Sequence, residues 1–415
     1  MKKLIFYSTL LIMTTSIGCT SKTTEYADKG IEIANMDTSA VAGDDFYQYA
    51  TGGWQKANPI PDEYSRYGTF DKLRENNQKQ VQGLIEELGS EHHEQGTNAQ
   101  KVGDLYSMGI DSVKLNADGF EPIKPLLSDI EAATSKKDIV KLMASVSKYA
   151  ANPFFGFYVG ADDKNSSMNI VHLYQSGIGM GEREYYIEQD DKSDHLRQEY
   201  LKLMRTQFQN IGYSDAEATK AANDAMKIET ELAQSHFTKE MRRIPEKNYH
   251  KLLSDDLDKE VAPFEWSYYF EQLGATNLDS LNVSQIEPIK AAIKIIDTKP
   301  IDNLQSYLKW IVIRSAANYL SDDFVNAHFE FYGKTMSGSK ELRPRWKRSI
   351  DAVDGALGEA VGQLYVERYF PAQAKERMLI LVDNLQKSLG ERITNLEWMG
   401  EETKKKAHEN LNTFI

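Results

Sequence analysis

The run Leu357-Gly-Glu-Ala-Val-Gly-Gln-Leu-Tyr-Val-Glu-Arg-Tyr-Phe-Pro371 decides the reading of the fold. It lies inside the longer stretch Arg343 to Met399, RPRWKRSIDAVDGALGEAVGQLYVERYFPAQAKERMLILVDNLQKSLGERITNLEWM. Leu357, Val361, Leu364 and Tyr365 fall at i, i+4, i+7 and i+8, the spacing of a single apolar stripe on a helix. Pro371 stops that helix, and a second is expected from Ala374, with Met378, Leu381, Val382 and Leu385 as its stripe. Gly358 and Gly362 sit one turn apart, where another helix can approach closely. Physical reasoning alone makes this segment a buried helical hairpin.

The rest of the chain reads as helix with one interruption. Asp44 to Trp54 holds four aromatics, and Gly52-Gly53 is expected to end a short helix there. Val81, Leu84, Ile85 and Leu88 mark a second helix, closed by Gly89. Further helices are expected over 98–108, 122–133 and 136–149, the last capped by Ser135 and Asp138. At 154–159 and 168–174 two apolar runs flank a polar turn, the best hairpin signal in the chain. Ser214 and Glu217 form a capping box for a helix faced by Ala218, Ala221, Ala225, Ile228 and Leu232. More helices are expected over 249–253, 284–296, 301–321 and 323–332. There is no fixed repeat period. The fold class is mainly α with a small antiparallel β element.

Composition narrows the function. The 415 residues are 41% hydrophobic and 27% charged, enough for a large core, and the net charge of −13 disfavours nucleic acid as a partner. The only cysteine is Cys19, so the chain holds no internal disulfide and no cysteine-based zinc site. Lys2-Lys3, the apolar run Leu4 to Met13 and Thr14-Thr-Ser-Ile-Gly-Cys19 read as a secretory signal. A cysteine directly after Ile-Gly is similar to a lipoprotein signal, whose cysteine becomes the acylated lipid anchor; Ser16 departs from the usual leucine. The apolar run is too short to span a bilayer. The expectation is an exported, tethered cell-envelope lipoprotein on the periplasmic side or at the outer membrane. Thr20, in place of a retention aspartate, favours the outer membrane by analogy. Two exposed apolar residues, Phe414-Ile415, close the chain, and a fragment of a longer protein is expected.

No catalytic or metal-ligating set emerges from the residues. Eight histidines are present, but none belongs to a His-Glu-x-x-His helix; the nearest match, His408-Glu409-Asn410-Leu411-Asn412, puts an asparagine at the second ligand position. His92-His93-Glu94 reads as a polar loop and His172 as a structural strand residue. Gly177-Ile-Gly-Met-Gly181 has the wrong spacing for a dinucleotide loop, and no Gly-x-Ser-x-Gly elbow exists. Arg66, Asp71 and Arg74 stand out: Asp71 and Arg74 are i, i+3 neighbours at a helix entry, and arginine suits bidentate capture of a peptide carboxylate. On spacing alone a surface ion-pair cluster is the favoured reading.

Several separated runs resemble the neprilysin and endothelin-converting-enzyme family of zinc metallopeptidases, in its bacterial oligoendopeptidase-type members. They are Asp44-Asp-Phe-Tyr-Gln-Tyr-Ala-Thr-Gly-Gly-Trp54, Ser65-Arg66-Tyr67-Gly68 with Phe70-Asp71 and Leu73-Arg74, Gly181-Glu-Arg-Glu-Tyr-Tyr186, Arg242-Arg243, the Leu357–Pro371 run, Trp398-Met399 and Thr403-Lys-Lys-Lys-Ala407. The resemblance implies a mostly α-helical, two-lobed shell around a cavity that admits small peptides. It implies that Arg66 binds the C-terminal side of the substrate, supported by Asp71 and Arg74. The family's zinc helix, third ligand and substrate strand would lie beyond Ile415, so zinc is expected in a full-length protein with no ligands in this chain, and this part alone is expected to be inactive. The domains then read as a signal over 1–19, a flexible tether over 20–42, a segment over 43–80 packing on the catalytic lobe, a helical lid lobe over 81–340, and helices over 341–415 leading into the absent catalytic domain. The rival readings are a non-catalytic peptide-binding lipoprotein and, less well supported without a repeat, a glycan-binding one.

Overall fold

The computed structural model describes residues 31–149 and 151–414. The signal expected over 1–19, its Cys19 anchor and the first part of the tether lie outside the described residues. The chain divides into two compact units, one ending at Pro59 and the other starting at Ile60.

In the first unit a 3-10 turn, Ile33–Asn35, precedes helix α1 (Phe46–Ala57). Asp45 caps α1 by accepting from the Gln48 amide at 2.8 Å, and Gln48 Nε2 donates to Asp37 Oδ2 at 2.9 Å. Contrary to expectation, Gly52-Gly53 does not end the helix. A Cβ on Gly53 would run into the Ala34 carbonyl and come within 2.7 Å of the Met36 carbonyl, so the glycines let the 33–37 backbone lie against α1.

The second unit holds the remaining helices: α2 (Thr69–Ser90), α3 (Asn98–Ile110), α4 (Ser112–Asp118), α5 (Lys124–Glu131), α6 (Lys136–Ser147), α7 (Glu184–Ile187), α8 (Asp191–Asn210), α9 (Asp215–Ser235), α10 (Lys239–Arg242), α11 (Leu257–Glu260), α12 (Trp266–Leu273), α13 (Ile286–Thr298), α14 (Ile301–Ala316), α15 (Asp322–His328), α16 (Arg345–Tyr369), α17 (Ala372–Thr394) and α18 (Glu401–Leu411). Both capping boxes form as their sequences dictate, Ser135 with Asp138 and Ser214 with Glu217.

The strands are β1 (Phe155–Asp162), β2 (Asn165–Gln175), β3 (Lys251–Leu253) and β4 (Ser280–Val283), in the order β1-β2-β4-β3. The hairpin is present, in register Phe155↔Gln175 to Ala161↔Asn169, with a bulge between Ala161 and Asp162 and a shorter turn than expected. The sheet, however, is mixed: β2 runs parallel to β4, and β3 is antiparallel to β4. The helix expected over 249–253 is instead strand β3. Its three residues gain ladder bonds from β4, a partner too distant along the chain for periodicity to reveal.

Among the described residues two hydrophobic cores form. The larger gathers α5, α6, α8, α9, α12, α13, α14 and the sheet around the buried rings of Tyr200, Tyr269, Tyr307, Trp310 and Phe331. The smaller joins α2, α3 and α16 through Leu84, Ile85, Leu88, Val102, Tyr106, Ile350, Val353 and Val361. Within the larger core, Phe154 takes the left-handed backbone (φ 65°), and the Tyr307 hydroxyl holds it by accepting from the Phe154 amide at 3.1 Å and donating to the Gly177 carbonyl at 2.7 Å. His172 is buried in β2, its ring stacked on Tyr158 and its Nδ1 3.2 Å from Asn282 Nδ2.

His236, at the end of α9, is buried, and burial, with Arg242 beside it, pulls its pKa down to about 4. His328 is drawn to the same value, by burial first and Arg314 second. A depressed histidine adds stability that is present above the unfolded value near 6.5 and is lost as pH falls toward 4, because the unfolded chain takes the proton first. His236 alone accounts for on the order of 3 kcal/mol across that window. Thermal melts from pH 7 to pH 4 are expected to show a steep fall in wild type and a shallower one in His236→Gln; parallel curves refute the assignment.

The hairpin expected at the C-terminal end is only half right. α16 and α17 meet at Phe370-Pro371, where Pro371 stops the first helix as predicted. But α16 is kinked at Leu357 (φ −131°, ψ 27°), and α17 is not buried: Met378, Leu381, Val382 and Leu385 are 40% to 61% exposed. Nor does a helix come close at Gly358 or Gly362; a Cβ on Gly362 would meet nothing within 4 Å. An apolar stripe states that a face wants cover, not what covers it.

Candidate functional site

Residues 60–75 form a turn leading into α2, built by side chains turned back on the backbone. Gly68 is the N-cap in extended geometry, and its amide donates to Asp71 Oδ2 at 2.9 Å. Asp71 is therefore spent on shaping the turn. Neither Arg66 nor Arg74 forms an ion pair among the described residues, so the expected Asp71–Arg74 pairing is absent. The reason is local: a carboxylate at the third helical position reaches the N-cap amide more easily than a side chain one turn on.

The turn is fastened to the start of α16. Lys347 is buried with its ammonium on Glu63 and 3.5 Å from Glu75, and it lies 5.6 Å from the ring centres of both Tyr64 and Trp346. Burial by itself depresses the Lys347 pKa, but the Glu63 bond and the Tyr64, Glu63 and Glu75 charges outweigh it and the net shift is upward. The Tyr67 hydroxyl donates to Glu75 at 2.6 Å, which, ahead of burial, pushes its pKa up to about 12. From the other side the Lys340 and Glu341 amides donate to the Asp62 carbonyl at 2.8 and 3.1 Å, and Lys340 Nζ reaches the Asp62 carboxylate at 2.8 Å. Arg66 thus stands exposed on a turn whose neighbours on both sides are tied down.

Arg74 projects from α2 into a groove of about 560 Å³ between α2 and α16, lined also by Gln78, Asp351, Asp354, Gly358 and Tyr365. Gln78 donates to Asp351 at 3.1 Å, Tyr365 donates to Gln80 at 2.8 Å, and Arg368 grips Glu87 with two bonds of 2.8 Å. Arg66, Asp71 and Arg74 therefore share one segment, but each does something separate. Sequence reasoning missed Lys347, Glu63 and Glu75. A signal existed: Lys347 sits three residues before Ile350 and six before Val353, on the buried stripe of α16. A lysine on such a stripe demands an acid.

Among the described residues no group of three or more His, Cys, Asp or Glu side chains is gathered as a metal site. His408 lies 3.1 Å from Thr394 Oγ1, and His93 lies 3.1 Å from the Leu88 carbonyl. These residues do not fit zinc, and no step through a metal is assigned to them.

Residues 42–415 match the family model described as Peptidase family M13. Human endothelin-converting enzyme 1 is 29% identical over 392 residues, which cover 91% of this chain and 50% of that protein. Mouse neprilysin is 29% identical over 411 residues, 91% of this chain and 54% of its own length. Among solved structures, the Mycobacterium tuberculosis zinc metalloprotease Zmp1 in complex with an inhibitor superposes with a TM-score of 0.84 at 30% identity, over 92% of this chain and 58% of that one. The chain spans about half the length of the curated relatives it matches.

Proposed function

The chain belongs to peptidase family M13, and from that membership we propose that it is the N-terminal part of a zinc metalloendopeptidase acting on small peptides. In this reading Arg66 receives a carboxylate on the C-terminal side of the substrate, Asp71 shapes the turn that presents it, and Arg74 lines the adjoining groove. The zinc that would activate water for attack on the peptide carbonyl would be held by residues C-terminal to Ile415. Export and lipid anchoring through Cys19 belong to the same proposal and rest on the sequence of residues 1–19.

The match over residues 42–415 carries the reading. Two features of the structure agree with it. Arg66 combines an exposed guanidinium, without an ion pair among the described residues, with a turn fixed at Asp62, Glu63, Tyr67 and Glu75, which is what preorganised capture of a carboxylate requires. The apolar face of α17 is of the kind that buries against another domain.

The test uses the full-length peptidase. Arg66→Ala is expected to raise KM roughly tenfold to a hundredfold for peptides with a free C-terminal carboxylate, the loss of one charge-assisted hydrogen-bonded contact. The same peptides with amidated C-termini are expected to change little. Equal effects on the two sets would refute the role of Arg66.

A further inference from the structure

A second cationic site lies one residue on from Lys347, on a neighbouring face of α16. The first turn of this helix and the residues before it hold three arginines, and two are neutralised: Arg343 on Asp351 and Arg345 on Asp322. Arg348 is not. Its Nε donates to the Arg343 carbonyl at 3.0 Å, and it forms no ion pair among the described residues. Three guanidinium groups thus face two carboxylates. The positive end of the 25-residue helix α16 adds to the surplus. Burial, reinforced by the Arg345 and Arg343 charges, pulls the Arg348 pKa below its usual value against the opposing pull of Asp322, which Arg345 already engages.

Arg348 opens on a pocket of about 640 Å³ between α3, α4, the turn after α14 and α16. Met108, Leu115, Tyr319 and Ala356 give it an apolar wall, Asn318 adds an amide, and the paired side chains of Arg345 and Asp351 also border it, Asp351 being held by Arg343. Met108 and Tyr319 are large apolar side chains left open to solvent there. The volume falls in the usual range for small-ligand sites, and one surplus charge beside an apolar wall is the recognition pattern of an amphiphilic anion.

We propose that this pocket binds a monocarboxylate carrying a short aliphatic group, with Arg348 gripping the carboxylate and the Met108–Tyr319 wall taking the aliphatic group. A peptide C-terminus and an acidic side chain supply the same chemistry. The site does not rest on the peptidase reading, since neither zinc nor Arg66 takes part.

Isothermal titration of the purified chain with N-acetyl-leucine, N-acetyl-leucinamide and N-acetyl-glutamic acid α-amide tests this. N-acetyl-leucine is expected to bind saturably and its amide at least tenfold more weakly. Arg348→Gln is expected to lose at least tenfold in affinity, with Arg368→Ala, on the far side of α16, as the unchanged control. Ala356→Phe, which narrows the pocket from an exposed position, is expected to weaken binding as well, and it keeps the test open if Arg348→Gln folds poorly. Tighter binding of the glutamic acid α-amide than of N-acetyl-leucine supports the site and makes a side-chain carboxylate its source. Equal binding of the acid and amide of leucine overturns the proposal, as does unchanged affinity in both pocket variants. Loss on Arg66→Ala with retention on Arg348→Gln also overturns it.

Discussion

Lys347→Met is expected to cost about 3–5 kcal/mol and to free the Arg66 turn, because it leaves the Glu63 and Glu75 carboxylates facing each other without a cation. Methionine keeps most of the volume, so the loss is electrostatic rather than a cavity effect. The penalty comes from stranding charges, which gives the prediction a second arm. Adding Glu63→Gln and Glu75→Gln to Lys347→Met removes those charges and is expected to recover much of the stability. Limited proteolysis between Asp62 and Gly68 is the direct readout, faster in the single variant and slowed again in the triple one. A single variant that melts and digests like wild type would sink the idea that Lys347 fixes the turn. In the full-length peptidase, Lys347→Met should raise KM for free-carboxylate peptides with Arg66 itself intact.

That fastening also marks how far the sequence could be read. Features whose two halves lie within one turn were legible: the Ser135/Asp138 and Ser214/Glu217 capping boxes, the stop at Pro371 and the β1–β2 hairpin all occur where local chemistry puts them. The three candidate residues fell on one segment as expected, yet Asp71 was given the wrong partner, since i, i+3 spacing does not rank Arg74 against the nearer Gly68 amide. Features joining distant parts were not legible. β3 read as helix because β4, its partner, is reached only after two intervening helices. Lys347 and Glu63 are 284 positions apart, and nothing in either neighbourhood names the other. Gly52-Gly53 and the α17 stripe show a subtler limit. Each sequence signal was real, but two glycines can admit a close neighbour as readily as end a helix, and an apolar face keeps its pattern whether or not its cover is present.

Glu229→Ala is expected to be the most damaging single change in the larger core, at about 4 kcal/mol or more. Glu229 is fully buried and accepts from the Tyr186 hydroxyl at 2.5 Å, Trp310 Nε1 at 2.9 Å, the Gly179 amide at 3.1 Å and the Tyr200 hydroxyl at 3.2 Å, with Arg314 at 3.5 Å. Burial pushes its carboxyl upward, while Arg314 and the donors pull the other way. Removing it strands a largely buried guanidinium and the Tyr186 and Tyr200 hydroxyl donors, although the Gly179 amide and Trp310 Nε1 keep bonds to those hydroxyl oxygens at 2.9 and 3.1 Å. Collapse cannot repair the site: a Cβ on Gly179 would already run into the Tyr200 hydroxyl and Arg314, so the 177–181 loop has no room to settle inward. Tyr186→Phe, which leaves the charge pair but removes one donor and the hydroxyl that accepts from the Met180 amide at 2.9 Å, should cost less, about 1–3 kcal/mol. Urea denaturation of both variants tests this order, and a Glu229→Ala loss no larger than that of Tyr186→Phe would show that the network fills space without carrying charge. Because α2, α3 and α16 share a separate core, proteolysis at the Arg66 turn should be unchanged in Glu229→Ala while that of the 177–184 loop rises. Lys347→Met should show the reverse, so the two variants together separate the stability of the two cores.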